Sequence, residues 1–330
     1  MVPRITVIGS LSADLTSFTP RIPNAGETLT STSFATACGG KGSNQAVAAA
    51  RIGGNRVQVS MIGAVGKDEF GSKLAKGLEA EGIDAKDVRA QEGEGTGVAV
   101  IIVEESTGEN RILVNRGANA LVLPSTLPLY LFEPTTCPQL IVLQLEIPLE
   151  TVLHIIHLAA QTTPPIPVLL NPAPAIPLPE WVYAGVDVLV VNETEAAMLS
   201  GVPLNFGGSI SDEDVERLGV QAAERFMRNG SRTVVITLGN RGALLVSSDR
   251  GEVRSVLVRA REVQAVDTTG AGDVFVGALA VKLVEHWREE GPDDWAALQD
   301  AVRYAVRAGT WAVSKKGTWD AVPRQEDIEN

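Results

Sequence analysis

The sequence predicts a three-layer α/β fold, a doubly wound and mostly parallel central sheet carrying a small β-strand lid. Three observations carry that expectation: short β-branched runs alternate with helical patterns, two of those runs are apolar almost throughout, and two strand-like segments break the alternation. Alternation implies a parallel sheet covered on both faces, because βαβ crossovers lay helices on either side. All 330 residues are expected to form one such unit, since large α/β folds of this length often build around a single sheet.

The runs in order are Ile5–Ile8, Val57–Val65, Leu140–Leu145, Val168–Leu170, Val186–Val191 and Val234–Leu238. Their β-branched enrichment reads as strand. Leu140–Leu145 and Val186–Val191 are nearly continuous in apolar residues, as burial on two sides requires, and belong at the centre of the sheet. Segments 14–37 and 96–116 break the rhythm. In the second, Val98–Val103 and Arg111–Val114 flank a polar turn at Glu104–Asn110 and read as a hairpin. Together the two segments form the expected lid, with an edge extension of the main sheet as the alternative. The proline-rich stretches Pro124–Pro138 and Pro164–Pro179 read as loops within the unit.

Composition narrows the function. Lys and Arg number 28 against 40 Asp and Glu, and the net charge of -12 repels a phosphate backbone and anionic lipid alike. Nucleic-acid and membrane partners are therefore not expected. The opening run Arg4–Gly9 is too short for a signal peptide, and no apolar stretch reaches the roughly 20 residues of a membrane helix. Cys38 and Cys137 show neither metal-knuckle nor disulfide spacing. The expected location is the cytoplasm, and a nuclear pool is compatible with it. An anionic substrate would have to be drawn by a local site built against the overall field.

Such a site is legible in Ala265–Asp273, a glycine-rich loop that opens the helical pattern from Val274 to about Trp287. Amides of Gly270, Ala271 and Gly272 are expected to be unpaired at the helix start, where the macrodipole adds roughly half a positive charge. Small residues also let a transferring phosphoryl group approach the backbone. Asp273, in the first helical turn, is the candidate general base; its alternative role is to complement the helix dipole. A second glycine cluster, Gly39–Ala46, precedes the helical pattern Val47–Ile52. It lacks the Walker spacing, but it sets Lys41 and Asn44 on one helical turn, ready to donate to sugar hydroxyls. Asp14 follows the first strand, Glu146 ends the run Leu140–Leu145, and Asn192-Glu193-Thr194-Glu195 follows Val186–Val191. Strand carboxyl ends are where ligands bind in such sheets. Asn192 reads equally as a plain helix N-cap, and Asp14 as a turn or helix cap.

Both glycine clusters in this order, with Asn171–Ala175, Asn192–Glu195 and Ile236–Gly242 between them, resemble the PfkB family of carbohydrate and nucleoside kinases over nearly the whole chain, and its ribokinase branch in particular. The resemblance implies a ribokinase-like fold and ATP-dependent phosphorylation of the 5-hydroxyl of D-ribose. Asp273 would be the base and Gly270, Ala271 and Gly272 the anion hole. Sugar contacts would fall on Ser12, Asp14, Gly39, Gly40, Lys41, Gly42, Asn44 and Glu146. Nucleotide contacts would fall on Asn192, Thr237, Gly239, Gly242, Gly272 and Val306, with Glu195 organising Mg²⁺ or another divalent cation through water. By the same likeness, K⁺ would be held by Asp267 and the carbonyls of Thr269, Ala312, Lys315 and Gly317. The family also implies a homodimer through the lid.

Three residues depart from the family pattern. Ser12 stands where an Asn that touches the sugar is common, which admits 2-deoxyribose. Ala321 replaces a hydroxyl that often completes the potassium shell. Val306 lies where a polar residue near adenine is common. Fructose, nucleosides and keto-deoxy sugar acids are the other family substrates. An inactive sugar- or nucleotide-binding regulator is the reading from another class, and the intact Gly270–Asp273 segment argues against it.

Overall fold

The computed structural model describes residues 2–204, 206, 210–249, 252–289 and 294–329. Its strands are β1 (Arg4–Ile8), β2 (Ser12–Thr19), β3 (Ser33–Gly39), β4 (Gln58–Gly66), β5 (Asp84–Gln91), β6 (Gly97–Glu104), β7 (Asn110–Asn115), β8 (Leu140–Leu143), β9 (Val168–Leu170), β10 (Val188–Asn192), β11 (Thr233–Thr237), β12 (Ala243–Asp249) and β13 (Glu252–Val258). Its α-helices are α1 (Lys41–Gly53), α2 (Glu69–Ala80), α3 (Leu149–Gln161), α4 (Glu193–Ser200), α5 (Asp212–Arg228), α6 (Ala271–Glu289), α7 (Trp295–Val313) and α8 (Gln325–Glu329). Part of the Leu204–Ser211 loop, residues 205 and 207–209, lies outside the described residues. Among those described, no helix is long and apolar enough to cross a membrane.

The main sheet runs β13-β12-β11-β10-β9-β8-β1-β4-β5. Every pair from β5 to β11 is parallel, and β12 and β13 add an antiparallel edge. Side chains alternate between two cores. Ile5, Val7, Leu140 and Val142 join residues of α1, α6 and α7 on one face; Ile8, Ile141 and Leu143 join residues of α3 and α5 on the other. This two-sided burial is what the apolar runs predict. The chain winds from β1 through β4 to β5, then returns to β8 on the far side of β1 and winds outward again. The order reverses between β1 and β8, and the crevice at their carboxyl ends is where open α/β sheets bind ligands.

Two run boundaries differ from expectation by more than one residue. Ladder pairing ends at Leu143, because Leu145 N–H turns to the Ala173 carbonyl at 3.1 Å. Val186 closes a 3₁₀ turn onto Tyr183 rather than starting β10. β5, with the sequence Asp-Ala-Lys-Asp-Val-Arg-Ala-Gln, and the β12–β13 hairpin were not expected at all; β5 is an outermost strand with a single β-branched residue, whereas β12 and β13 carry the apolar runs Leu244–Val246 and Val256–Val258.

The interrupting segments form a separate sheet in the order β3-β2-β6-β7, with β2 and β6 parallel and the other pairs antiparallel. The edge-extension alternative therefore falls. Ser12 and Asp14 lie on β2, so Asp14 is a strand residue and not a turn or helix cap. The lid touches the body beyond α7: Thr318 Oγ1 donates to the Cys38 carbonyl at 2.7 Å, and Lys316 Nζ lies 5.2 Å from the Phe18 ring centre. Within the body, α1 and α6 cross so closely that a Cβ added at Gly277 would meet Ala48 Cβ at 2.4 Å.

Candidate active site

Asp273 stands in the first turn of α6 and is 6% exposed. An ionised carboxylate at that depth needs donors, and α1 supplies them. Asn44 Nδ2 donates to Asp273 Oδ2 at 2.9 Å and Gln45 Nε2 donates to Oδ1 at 3.0 Å. Trp319 Nε1 donates to Asn44 Oδ1 at 3.1 Å, which fixes the direction of that amide. Asn44 therefore commits one of its two N–H bonds to Asp273, and the other has no acceptor among the described residues.

The helix mouth beside Asp273 is bare. Gly270 turns the chain at φ 75°, a conformation that favours glycine. The expectation of three free amides is corrected for Ala271, whose N–H closes the turn onto the Thr268 carbonyl at 3.4 Å. Among the described residues the N–H groups of Gly270 and Gly272 have no acceptor, and a Cβ added at Gly272 would meet nothing within 4 Å. Uncommitted amides next to open space are what an anion requires.

At the start of α1, the glycine cluster is set by steric fit. A Cβ at Gly39 would lie 2.2 Å from Asp14 Oδ2, and one at Gly42 would lie 2.6 Å from Ser10 N and 2.8 Å from Gly9 Cα. Gly40, at φ 94°, leads into α1. Glu146, just beyond β8, accepts the Lys41 N–H at 2.8 Å and the Ser10 hydroxyl, and so anchors the start of α1. Ser12 is buried, and Asn119 Nδ2 donates to its Oγ at 3.4 Å while also holding the Leu11 carbonyl at 2.8 Å.

Charge in this crevice is lopsided. Asp14 has no hydrogen-bond donor among the described residues; burial, reinforced by Glu146 and Asp273, pushes its pKa up to about 6. Lys41 is held above its usual value mainly by Asp273, against the opposing effect of burial, and Glu146 and Glu195 add to the rise. Burial also raises Glu195, although the Asn192 N–H and Lys41 pull the other way. The carboxylates of Asp273, Glu146 and Glu195 thus act on one ammonium.

Thr237, Gly239, Gly242, Gly272 and Val306 all line one cavity of about 610 Å³, walled further by Ala271, Phe275 and Thr310. Asn192 and Glu195 do not line it. They form a reciprocal cap on α4: Asn192 Oδ1 accepts Glu195 N–H at 2.8 Å, and Glu195 Oε2 accepts Asn192 N–H at 2.9 Å. The N-cap reading therefore describes Asn192, while Glu195 still feels the charges of Lys41 and Asp273. A larger cavity of about 900 Å³ opens at the amino ends of β1 and β4 and contains none of these residues.

Asp267 joins two backbone segments, accepting Thr269 N–H at 2.9 Å and Gly317 N–H at 3.0 Å. Burial opposes its ionisation, but these bonds and the nearby Lys316 charge hold its pKa below the ordinary value. The Ala312 carbonyl accepts Lys315 N–H at 3.0 Å, and Ala321 is buried in the short turn Trp319–Ala321. Ser10, Gln45, Asn119 and Trp319 escaped the sequence reading. Only Gln45 carried a local signal, a large polar residue between Asn44 and the small apolar Ala46–Ala50.

Transfer of a phosphoryl group to a small hydroxylated molecule is the chemistry that such a crevice serves. The chain belongs to the pfkB family of carbohydrate kinases, which it matches over residues 2–325. It is 38% identical over 328 residues to a ribokinase of Schizosaccharomyces pombe, covering 98% of this chain and 96% of that one. It is also 38% identical over 325 residues to a deoxyribokinase of Salmonella typhi, covering 98% and 97%. The solved structure of Arabidopsis thaliana ribokinase complexed with ribose and ATP superposes with a TM-score of 0.85 at 28% identity, covering 100% of this chain and 98% of that one.

Asp14 makes a testable demand. Its folded pKa of about 6 exceeds the ordinary 3.8, so the folded chain binds the proton more tightly than the unfolded one. Stability from this group is present at low pH and is lost as pH rises through about 6. Asp14→Asn is expected to raise the melting temperature at pH 7.5 and to narrow the gap between pH 5 and pH 7.5. A lower melting temperature at pH 7.5 would contradict the burial argument.

Proposed function

We propose that this protein phosphorylates the 5-hydroxyl of D-ribose with ATP, giving ribose 5-phosphate and ADP. The observation that carries the reading is the clamped Asp273 carboxylate beside the uncommitted amides of Gly270 and Gly272. Asp273 takes the hydroxyl proton as the sugar oxygen bonds to the γ-phosphorus, and the bond from that phosphorus to the ADP oxygen breaks. The helix mouth stabilises charge on the migrating group, because its donors are already in place. Asp14, Lys41, Asn44 and the Gly39–Gly42 turn surround the acceptor sugar, and the cavity beyond Gly272 takes the nucleotide.

The carboxylates of Asp273, Glu146 and Glu195 around Lys41 repel ATP unless a divalent cation accompanies it, which supports Mg²⁺ as a cosubstrate. Among the described residues no cluster of three His, Cys, Asp or Glu side chains could hold a metal, so Mg²⁺ would take its ligands mainly from phosphate oxygens and water. K⁺ fits the second position. Asp267 gathers the Thr269 and Gly317 backbone around one ionised carboxylate, with Lys315 and Ala312 close in the same segment. When bound, K⁺ would add fixed positive charge beside the anion hole.

2-Deoxyribose is the second reading. Ser12 supports it, since its short hydroxyl is already shared with Asn119, as does the equal identity to a ribokinase and to a deoxyribokinase. We also propose a homodimer through the lid. β7 is an edge strand exposed along its whole length, and Phe34, Ile112, Leu113 and Val114 are all more than half exposed on the small sheet.

Asp273→Asn is expected to lower kcat about 10²- to 10⁴-fold with little change in melting temperature; near-normal turnover would remove Asp273 as the base. In an ADP-release assay over a sugar panel, ribose is expected to give the highest kcat/KM and 2-deoxyribose the next, with both faster in K⁺ than in Na⁺. Preference for fructose or a nucleoside would reject the sugar assignment, and equal rates in both ions would reject the cation site. Sedimentation of a Leu113→Lys variant is expected to show a monomer where the native chain is a dimer; a monomeric native chain would refute the lid contact.

A further inference from the structure

Gln45 is fully buried in the first turns of α1, and its side chain is engaged at both ends. Nε2 donates to Asp273 Oδ1 at 3.0 Å and to Asn171 Oδ1 at 3.1 Å; Oε1 accepts from Gln144 Nε2 at 2.6 Å. Asn171 is fixed in turn, its Nδ2 donating to the Val190 carbonyl at 2.9 Å. The direction of this chain follows from Asp273. An ionised carboxylate only accepts, so it must face the nitrogen of Gln45. That choice presents the Gln45 oxygen to Gln144, which must answer with its own nitrogen. Gln144 Oε1 is then left buried with no donor among the described residues, so close to Gly9 that a Cβ there would come within 2.0 Å. A buried oxygen without a partner is unfavourable, and here it is the far end of a chain whose near end holds the base.

We infer that Gln45 is a positioning residue for phosphoryl transfer, locking the Asp273 carboxylate in one orientation through an amide chain that runs back to Gln144 beyond β8 and Asn171 beyond β9. Asn44 holds the other oxygen and is itself held by Trp319. The two donors arrive from neighbouring residues of one helix turn, so the carboxylate cannot rotate without breaking one of them. The remaining lone pairs keep a constant aim toward the acceptor hydroxyl. This inference rests on the reading of Asp273 as the base.

A double-mutant cycle in the full-length chain tests it, with ribose and ATP as substrates. Gln45→Met is expected to lower kcat about 10- to 100-fold, the scale of a misaligned reacting group, while KM for both substrates stays within about twofold. In the Asp273→Asn background the same change is expected to cost nothing further, because residues acting through one group are not additive. Gln144→Met, which frees Gln45 to turn without touching Asp273, is expected to give a smaller loss of kcat with the same lack of additivity. It carries the test if Gln45→Met does not fold. Unchanged kcat in the folded variants, or an equal loss with and without the Asp273 carboxylate, overturns the inference and leaves Gln45 a core residue. Undiminished turnover in Asp273→Asn alone would instead strike the base assignment, so the two failures are distinguishable.

Discussion

One buried carboxylate, Asp273, governs the arrangement around it. A charge almost withdrawn from water is tolerated only where its oxygens find donors, and both donors come from successive residues at the start of α1. That requirement forces α1 against α6. The crossing is close enough that Gly277 has no room for a side chain beside Ala48, and the facing residues of α1 are Ala and Val. The small-residue character of both helices, which looks like simple packing, is therefore a condition of holding the Asp273 carboxylate.

The same carboxylate shapes the electrostatics of the crevice. Glu146 is committed to the start of α1 and Glu195 to the start of α4, each satisfying a helix N–H group. Asp14 has no such obligation; burial raises its pKa, and the repulsion of Glu146 and Asp273 adds to the rise. Under the proposed sugar contact, stability and function would be traded at that position.

The architecture was legible wherever one short segment carried its own cause. Runs such as Leu140–Leu143 announce two-sided burial, and a bare loop before Asp273 announces an anion. β5 was missed because an edge strand need not be apolar. Asn192 had two readings in the sequence, and only the reciprocal bonds with Glu195 show the cap. Trp319 was invisible as a partner of Asn44, since 275 positions separate them and nothing local to either hints at the other. Ala271 was misjudged for a smaller reason: whether an amide at a loop end folds back onto Thr268 depends on backbone angles that composition does not encode.

Half of the small sheet, β2 and β3, is spliced into the chain between β1 and α1, and this has a mechanical consequence. Only residues 9–11 separate β1 from β2, and Gly40 alone separates β3 from α1. Any swing of that sheet would tug Asp14 and the Gly39–Lys41 segment together, at both ends of the insertion. Residues at the two ends of the insertion would shift as one. The cavity beyond Gly272 draws no wall from the inserted strands and would keep its shape throughout.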